Sequence, residues 1–287
     1  MKIAIASGKG GVGKSMLASA LAMLFSKDRQ IVAVDCDVDA PNLHLWLGSK
    51  EGWDDVWKIS TSERPVIDYE RCDGCGKCAE MCQFGALSMV EGKPELNPFL
   101  CEGCGACEVI CSKKAIKMEP VENAEIRIKS DAGGFPLVSA QLYPGEKGSG
   151  KIVDELVKQA EKFDHEIMIL DSPAGTGCPV IATLKDADFA VLVTEPTPAA
   201  RADLQRVLAV VNYFQIPFGV VINKWDINKD LTAQIETEFG SQVFGKIDYD
   251  KRVFEAIASL TPIMQTRLPV RAGIEAIFNK IIEEGLI

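Results

Sequence analysis

The sequence predicts an α/β protein: a mostly parallel sheet covered by helices on both faces, interrupted once by a small cysteine-rich module. Three observations carry this expectation. Short apolar runs alternate with helical patterns; a glycine-rich phosphate-cradling motif follows the first run; and eight of the ten cysteines fall into two copies of one spacing. Runs that are continuously apolar, rather than alternating, suit strands covered on both faces, as in parallel sheets.

The predicted strands are residues 3–6, 31–34, 167–170, 189–193 and 218–222, each bounded by Gly, Asp or Pro. Helical patterns cover 15–26, 151–163, 199–214 and 274–284. Strand–helix alternation of this kind is the signature of an α/β architecture. It stops near residue 62 and resumes near 120. The expected organisation is therefore a first part of the main domain at 1–62, an inserted module at 63–119, and the second part at 120–287. Residues 121–149 fit a hairpin leading back to the sheet.

Composition narrows the function. Of 287 residues, 47% are hydrophobic and 25% charged, as in ordinary globular chains, and the net charge is −10. Such acidity argues against non-specific nucleic-acid binding and against a polybasic membrane anchor. No run of about 18 apolar residues exists to span a bilayer. The opening MKIAIASG has too short an apolar stretch for a secretory signal and reads as a strand. A cytoplasmic location follows as the expectation, and there ten cysteines point to metal rather than to disulfides.

Gly8-Lys9-Gly10-Gly11-Val12-Gly13-Lys14-Ser15 matches G-x-x-x-x-G-K-[ST] between a predicted strand and a predicted helix, the context the motif requires. Glycines let backbone N–H groups converge on phosphate oxygens, and the helix N-terminus adds partial positive charge through Met16. Lys14 is expected to reach the β/γ-phosphates, and the Ser15 hydroxyl to bind Mg²⁺. In IMILDSPAGTG, Asp171 ends an apolar strand and is the expected second Mg²⁺ group. VAVDCDVDAPNL places Asp35, Asp37 and Asp39 after the second strand; carboxylates there also cap helices, so Asp35 or Asp39 can be purely structural.

With the extra Lys9, KGGVGKS resembles the deviant Walker A motif of the MinD/ParA/nitrogenase-reductase class of ATPases. That resemblance implies binding and hydrolysis of ATP with Mg²⁺, and a homodimer formed on ATP binding in which Lys9 crosses to the partner's nucleotide. It also implies that Asp37 is the switch I carboxylate, that Pro173 and Gly175 belong to switch II, and that Asn223 of VVINKWD contacts adenine. The class usually has Pro where Asp248 stands in KIDYDKRVFEAI, a departure on the adenine side.

Cys72-x2-Cys75-x2-Cys78-x3-Cys82 is repeated, 29 residues later, as Cys101-x2-Cys104-x2-Cys107-x3-Cys111. This is bacterial dicluster ferredoxin spacing: three thiolates wrap one cubane while the fourth ligates the other. Cys72, Cys75, Cys78 and Cys111 are therefore assigned to one [4Fe–4S] cluster, and Cys82, Cys101, Cys104 and Cys107 to the second. Two zinc sites are the alternative, but zinc favours CxxC pairs separated by a long gap. Gln83 and Ser112 stand where Pro usually follows the fourth cysteine. The module carries seven basic and ten acidic residues, so it suits a partner with a basic face.

Cys36 and Cys178 lie outside the repeats. Cys36 reads as a buried small residue; Cys178 reads as structural, with transient metal or redox use as the lesser alternative. His44 and His165 have no triad-like neighbours and read as structural. Trp46, Trp53 and Trp57 read as packing residues, and the C-terminal helix carries more acid than base, unlike a membrane-targeting helix.

The order of parts closely resembles MinD-superfamily ATPases containing an inserted ferredoxin domain. Three functions are compatible with it: a nucleotide-driven dimer switch coupled to a redox or metallocofactor-assembly partner; a cluster scaffold or carrier; and a ParA-like positioning ATPase, which the acidic charge disfavours.

Overall fold

The computed structural model describes residues 1–49 and 52–285. Among the described residues thirteen strands are formed: β1 (Lys2–Ser7), β2 (Ile31–Asp35), β3 (Asp55–Ile59), β4 (Ser62–Ile67), β5 (Leu87–Val90), β6 (Lys93–Leu96), β7 (Ile116–Val121), β8 (Ala124–Lys129), β9 (Leu137–Leu142), β10 (Ile167–Ala174), β11 (Phe189–Thr194), β12 (Phe218–Asn223) and β13 (Val243–Ile247). Nine make one sheet in the order β13-β12-β11-β1-β10-β2-β9-β8-β3. The pairings from β13 to β9 are parallel. The residues of β1, β2, β10, β11 and β12 are almost wholly buried, which is why they read as continuous apolar runs.

By internal contact the chain divides into two compact units. The larger comprises Met1–Val56, Ile126–Gln141 and Ser149–Ile287; the smaller comprises Trp57–Glu125 and Leu142–Gly148. In the larger unit the sheet carries helices Lys14–Phe25, Ser149–Ala160, Pro198–Tyr213 and Val270–Glu283, each within a few residues of its predicted span. Helix Lys14–Phe25 is buried nearly all round, as Leu17, Leu21 and Ala22 show, and so has no polar face. Helices Lys229–Phe239 and Arg252–Ala258 and strand β13 were not foreseen. Their sequences are too polar to announce burial, and they are held by a few residues such as Ile235 and Ile247.

β8 and β9 are sheet neighbours joined by a turn in which Asp131 Oδ1 accepts from Gly133 and Gly134 at 3.0 and 2.7 Å. The hairpin expected in 121–149 is thus formed. The segment after it joins the smaller unit for a local reason. Buried Asn123 donates from Nδ2 to Thr61 Oγ1 (2.9 Å) and to Lys147 O (2.7 Å), while its Oδ1 accepts from Thr61 N (2.8 Å).

The smaller unit has two antiparallel ladders, β4 with β7 and β5 with β6. Two short helices, Lys77–Met81 and Ala106–Ile110, each follow a glycine with φ of 75°. Their counterparts Gly74 and Gly103 allow the chain to pass close to other backbone: an added Cβ would lie 2.3 Å from Gly92 O and 2.6 Å from Glu63 O respectively.

Candidate functional site

The candidate nucleotide site stands where strands β1, β2 and β10 end together. Asp35 and Asp171 are register partners, and Ile5 pairs with Asp171 on the other side. The chain leaves β1 through Gly8–Gly13 and enters its helix at Lys14. Gly13 has φ 99°, and no side chain caps the helix, so its first N–H groups point into the site. Lys14, Val12 and Met16 are buried, and Gly10 and Gly11 border the open side of the loop. Gly8 has a steric duty: an added Cβ would lie 2.0 Å from Asp203 O.

The carboxylates here have separate tasks. Asp35 accepts from Asn42 N and Leu43 N at 2.8 and 2.9 Å and from Asp37 N at 3.2 Å, so it holds the turn after β2. Burial, and then the charge of Asp171, push its pKa well up. Burial also pushes Asp171 up, to about 6, against the pull of Lys14 and the Ser15 hydroxyl. Asp171 Oδ1 is buried with no hydrogen-bond partner. An orphaned carboxylate oxygen beside a serine hydroxyl and a buried lysine fits an Mg²⁺–phosphate group, which would satisfy all three. Asp37 is also raised, chiefly by burial, and Lys14 pulls it down. Its Oδ1 accepts from Ala40 N at 3.3 Å.

Asn223 ends β12. Its Nδ2 donates to Val12 O at 2.7 Å and its Oδ1 accepts from Lys224 N at 2.9 Å, so this side chain braces the phosphate loop. Asp248 accepts from the Trp225 indole at 2.7 Å. Lys9 is not free: its Nζ bonds Glu195 Oε1 at 2.9 Å, while Lys224 Nζ bonds Glu195 Oε2 at 2.9 Å and Gly11 O at 3.1 Å. Burial pushes Glu195 up, but the two lysines outweigh it and hold its pKa below the usual value.

In the smaller unit the cysteines line two small cavities, each of about 20 Å³. Cys82, Cys101, Cys104 and Cys107 line one; Cys72, Cys75, Cys78 and Cys111 line the other. Each cavity thus meets three cysteines of one repeat and the fourth of its sibling. Ala86 N donates to Cys82 Sγ at 3.3 Å, and Ala115 N to Cys111 Sγ at 3.2 Å. Burial raises Cys78, and raises Cys107 to about 11. Burial also pushes Cys82 up, but backbone N–H groups from Phe84 to Leu87 outweigh it and lower its pKa. Among the described residues no three His, Cys, Asp or Glu side chains converge as one metal ion would need.

The CobQ/CobB/MinD/ParA nucleotide-binding domain model matches residues 3–263. The chain belongs to this family. A MinD/ParA-type ATPase fold is also what solved structures resemble. The cell-division ATPase MinD of Pyrococcus furiosus superposes with a TM-score of 0.61 at 16% identity, covering 99% of this chain and 98% of that one. The Pyrococcus horikoshii MinD complexed with Mg-ADP gives 0.59 at 17%, covering 99% and 95%. Among curated relatives, an uncharacterized Methanocaldococcus jannaschii protein is 39% identical over 99% of this chain and 97% of its own length. An uncharacterized ATP-binding protein of the same organism is 28% identical over 99% and 98%. Escherichia coli MinD is 25% identical over 73% of this chain and 58% of its own length.

For a MinD/ParA-family member, two site residues escaped the sequence reading. Glu195 and Lys224 follow strands β11 and β12, and their only sequence signal is a charged residue directly after a buried strand. Of the remaining candidates, Cys36 is fully buried and pushed up by that burial. Cys178 is exposed at the start of helix Cys178–Leu184. His44 packs on Trp53 with ring centroids 5.3 Å apart, His165 contacts Phe163 O, and Trp46 and Trp53 pack on the core. No described helix is long and apolar enough to cross a membrane.

Proposed function

We propose that this MinD/ParA-family chain is an ATP-dependent iron–sulfur protein, in which nucleotide binding drives homodimer formation and two [4Fe–4S] clusters serve a redox or metallocofactor-assembly partner. One observation carries the iron–sulfur part: each cavity is walled by three cysteines of one repeat and the fourth of the other. A cubane needs four thiolates set around a volume rather than converging on a point, and that is the donor set present. When bound, the clusters would supply one-electron chemistry.

The nucleotide half rests on the chain's own groups. Backbone N–H groups of Gly10 to Ser15 and Lys14 bind phosphate, while Ser15 and Asp171 hold Mg²⁺. Asp37, beside Lys14, orients the water that attacks. Lys9 leaves Glu195 to reach the nucleotide of a second copy, and Asn223 keeps the loop in register for the base. Exposed Cys75 and Cys104 favour a second reading, a cluster carrier, because a rim thiolate is the first a receiving protein could replace.

Anaerobically purified full-length protein tests this. The expected result is roughly eight iron and eight sulfide per chain, Mg-ATP binding lost in Lys14→Ala, and ATP-induced dimerisation lost in Lys9→Ala. Protein with no iron or sulfide, or one that binds Mg-ATP equally well without Lys14, overturns it. Clusters that pass intact to an apoprotein favour the carrier reading.

A further inference from the structure

The two cysteine cavities are lined by matching positions of the repeat, which makes their differences informative. At the 29-residue offset, Asp73 answers to Glu102 and Pro94 to Pro65. The hydrogen bonds to sulfur match as well: Ala115 N to Cys111 Sγ at 3.2 Å and Ala86 N to Cys82 Sγ at 3.3 Å. Both sites offer three cysteines plus one. Of the levers that set an iron–sulfur potential, cluster type and the matched N–H bond to the sibling cysteine's sulfur are therefore the same on both sides. Local charge is not.

Where the Cys72 site has Lys77 and Lys113, the Cys101 site has Ala106 and Phe84. The outer contacts do not cancel this difference. Lys113 Nζ lies 3.8 Å from Asp73, and Lys93 Nζ donates to Cys72 O. On the other side Glu102 is paired with Lys147 at 3.0 Å, which leaves that site neutral. The Cys72 site thus carries two more positive charges than its sibling, whether or not these outer lysines are included. Reduction adds one negative charge. Nearby cations favour it, so the extra lysines favour the Cys72 site.

We propose that the two sites are unequal electron sinks: the site of Cys72, Cys75, Cys78 and Cys111 holds the reducing electron, and Lys77 and Lys113 make it so. This rests on the iron–sulfur reading above. One electron from an external one-electron donor reduces one site; the donor is oxidised by one electron, and no bond or proton is exchanged. Lys77 and Lys113 stabilise the added charge in place. Because both are exposed, their effect is screened and modest, and it weakens with ionic strength.

The test is a redox titration of the anaerobic full-length protein followed by electron paramagnetic resonance, with iron and sulfide assayed on the same sample. Expected is at least a tenfold preference of the first electron for one site, about 59 mV between the two steps. Lys77→Gln with Lys113→Gln should lower the higher step alone and close the gap. Ala106→Lys should raise the lower step. Coincident steps in the wild type, or a charge-removing variant that moves the lower step or neither, overturns the assignment. Absence of iron and sulfide overturns instead the reading on which it rests.

Discussion

The larger and smaller units hold themselves together by different means. In the larger, strands β1, β2, β10, β11 and β12 and helix Lys14–Phe25 bury a long series of Ile, Leu, Val and Phe side chains. In the smaller, the cluster among the described residues is Cys78, Leu87 and Ile116, edged by partly buried residues that include Cys82, Cys107 and Cys111, with Ala86, Ala115 and Ala124 also buried. Its surface still exposes Val109, Phe99 and Tyr69. A module that buries this little apolar surface does not hold by that surface alone. The difference sets a fold specified by apolar area beside one that, on the proposed iron–sulfur reading, is specified by metal binding, and each should fail under a different insult.

The largest expected effect follows directly. On the iron–sulfur reading, removing iron with a chelator should unfold residues 62–121 while leaving the parallel strands of the large sheet intact, because metal binding is then the folding free energy of the module. Hydrogen exchange resolved by peptide should show protection lost there and kept in β1, β10 and β11. Equal protection with and without iron would break the comparison. Next comes Leu21→Ala, a fully buried position in the larger unit. It should cost about 2–5 kcal/mol by denaturant melting, with iron content unchanged.

The pH dependence sharpens the electrostatics of the larger unit. Asp171 sits at about 6 against an ordinary value of 3.8. Between these values the folded protein binds more protons than the unfolded chain. Asp171 alone should therefore remove about 3 kcal/mol of stability from the nucleotide-free protein as pH rises from about 4 to 6, and the raised Asp35 and Asp37 act in the same direction. Mg²⁺ favours the ionised carboxylate, so Mg-ATP binding should weaken below about pH 6 and release a proton near it. Calorimetry in two buffers of different ionisation heat measures that proton.

The smallest effect belongs to Glu195→Gln. It loosens Lys9 and Lys224 from one carboxylate and should cost about 1–2 kcal/mol of stability, as for partly buried ionic contacts. By freeing Lys9 it should shift ATP-dependent dimerisation to lower protein concentration, read by analytical ultracentrifugation. Weaker dimerisation in this variant would mean that Glu195 positions Lys9 rather than restrains it.

The sequence by itself determined the buried strands, the phosphate loop and the two cysteine spacings. Each is a local pattern, enforced by two-sided burial, by backbone crowding or by the reach of three thiols in one loop. It could not show that Glu195 clasps Lys9, that Asn223 braces Val12, or that Asp171 keeps an oxygen without a partner. Those depend on residues 186, 211 and 166 positions apart coming together at strand ends. Nor could it show that the two cysteine cavities differ in lining charge. Lys113 and Phe84 reach a cavity only because each repeat folds across its sibling, and chain spacing alone does not encode that crossing.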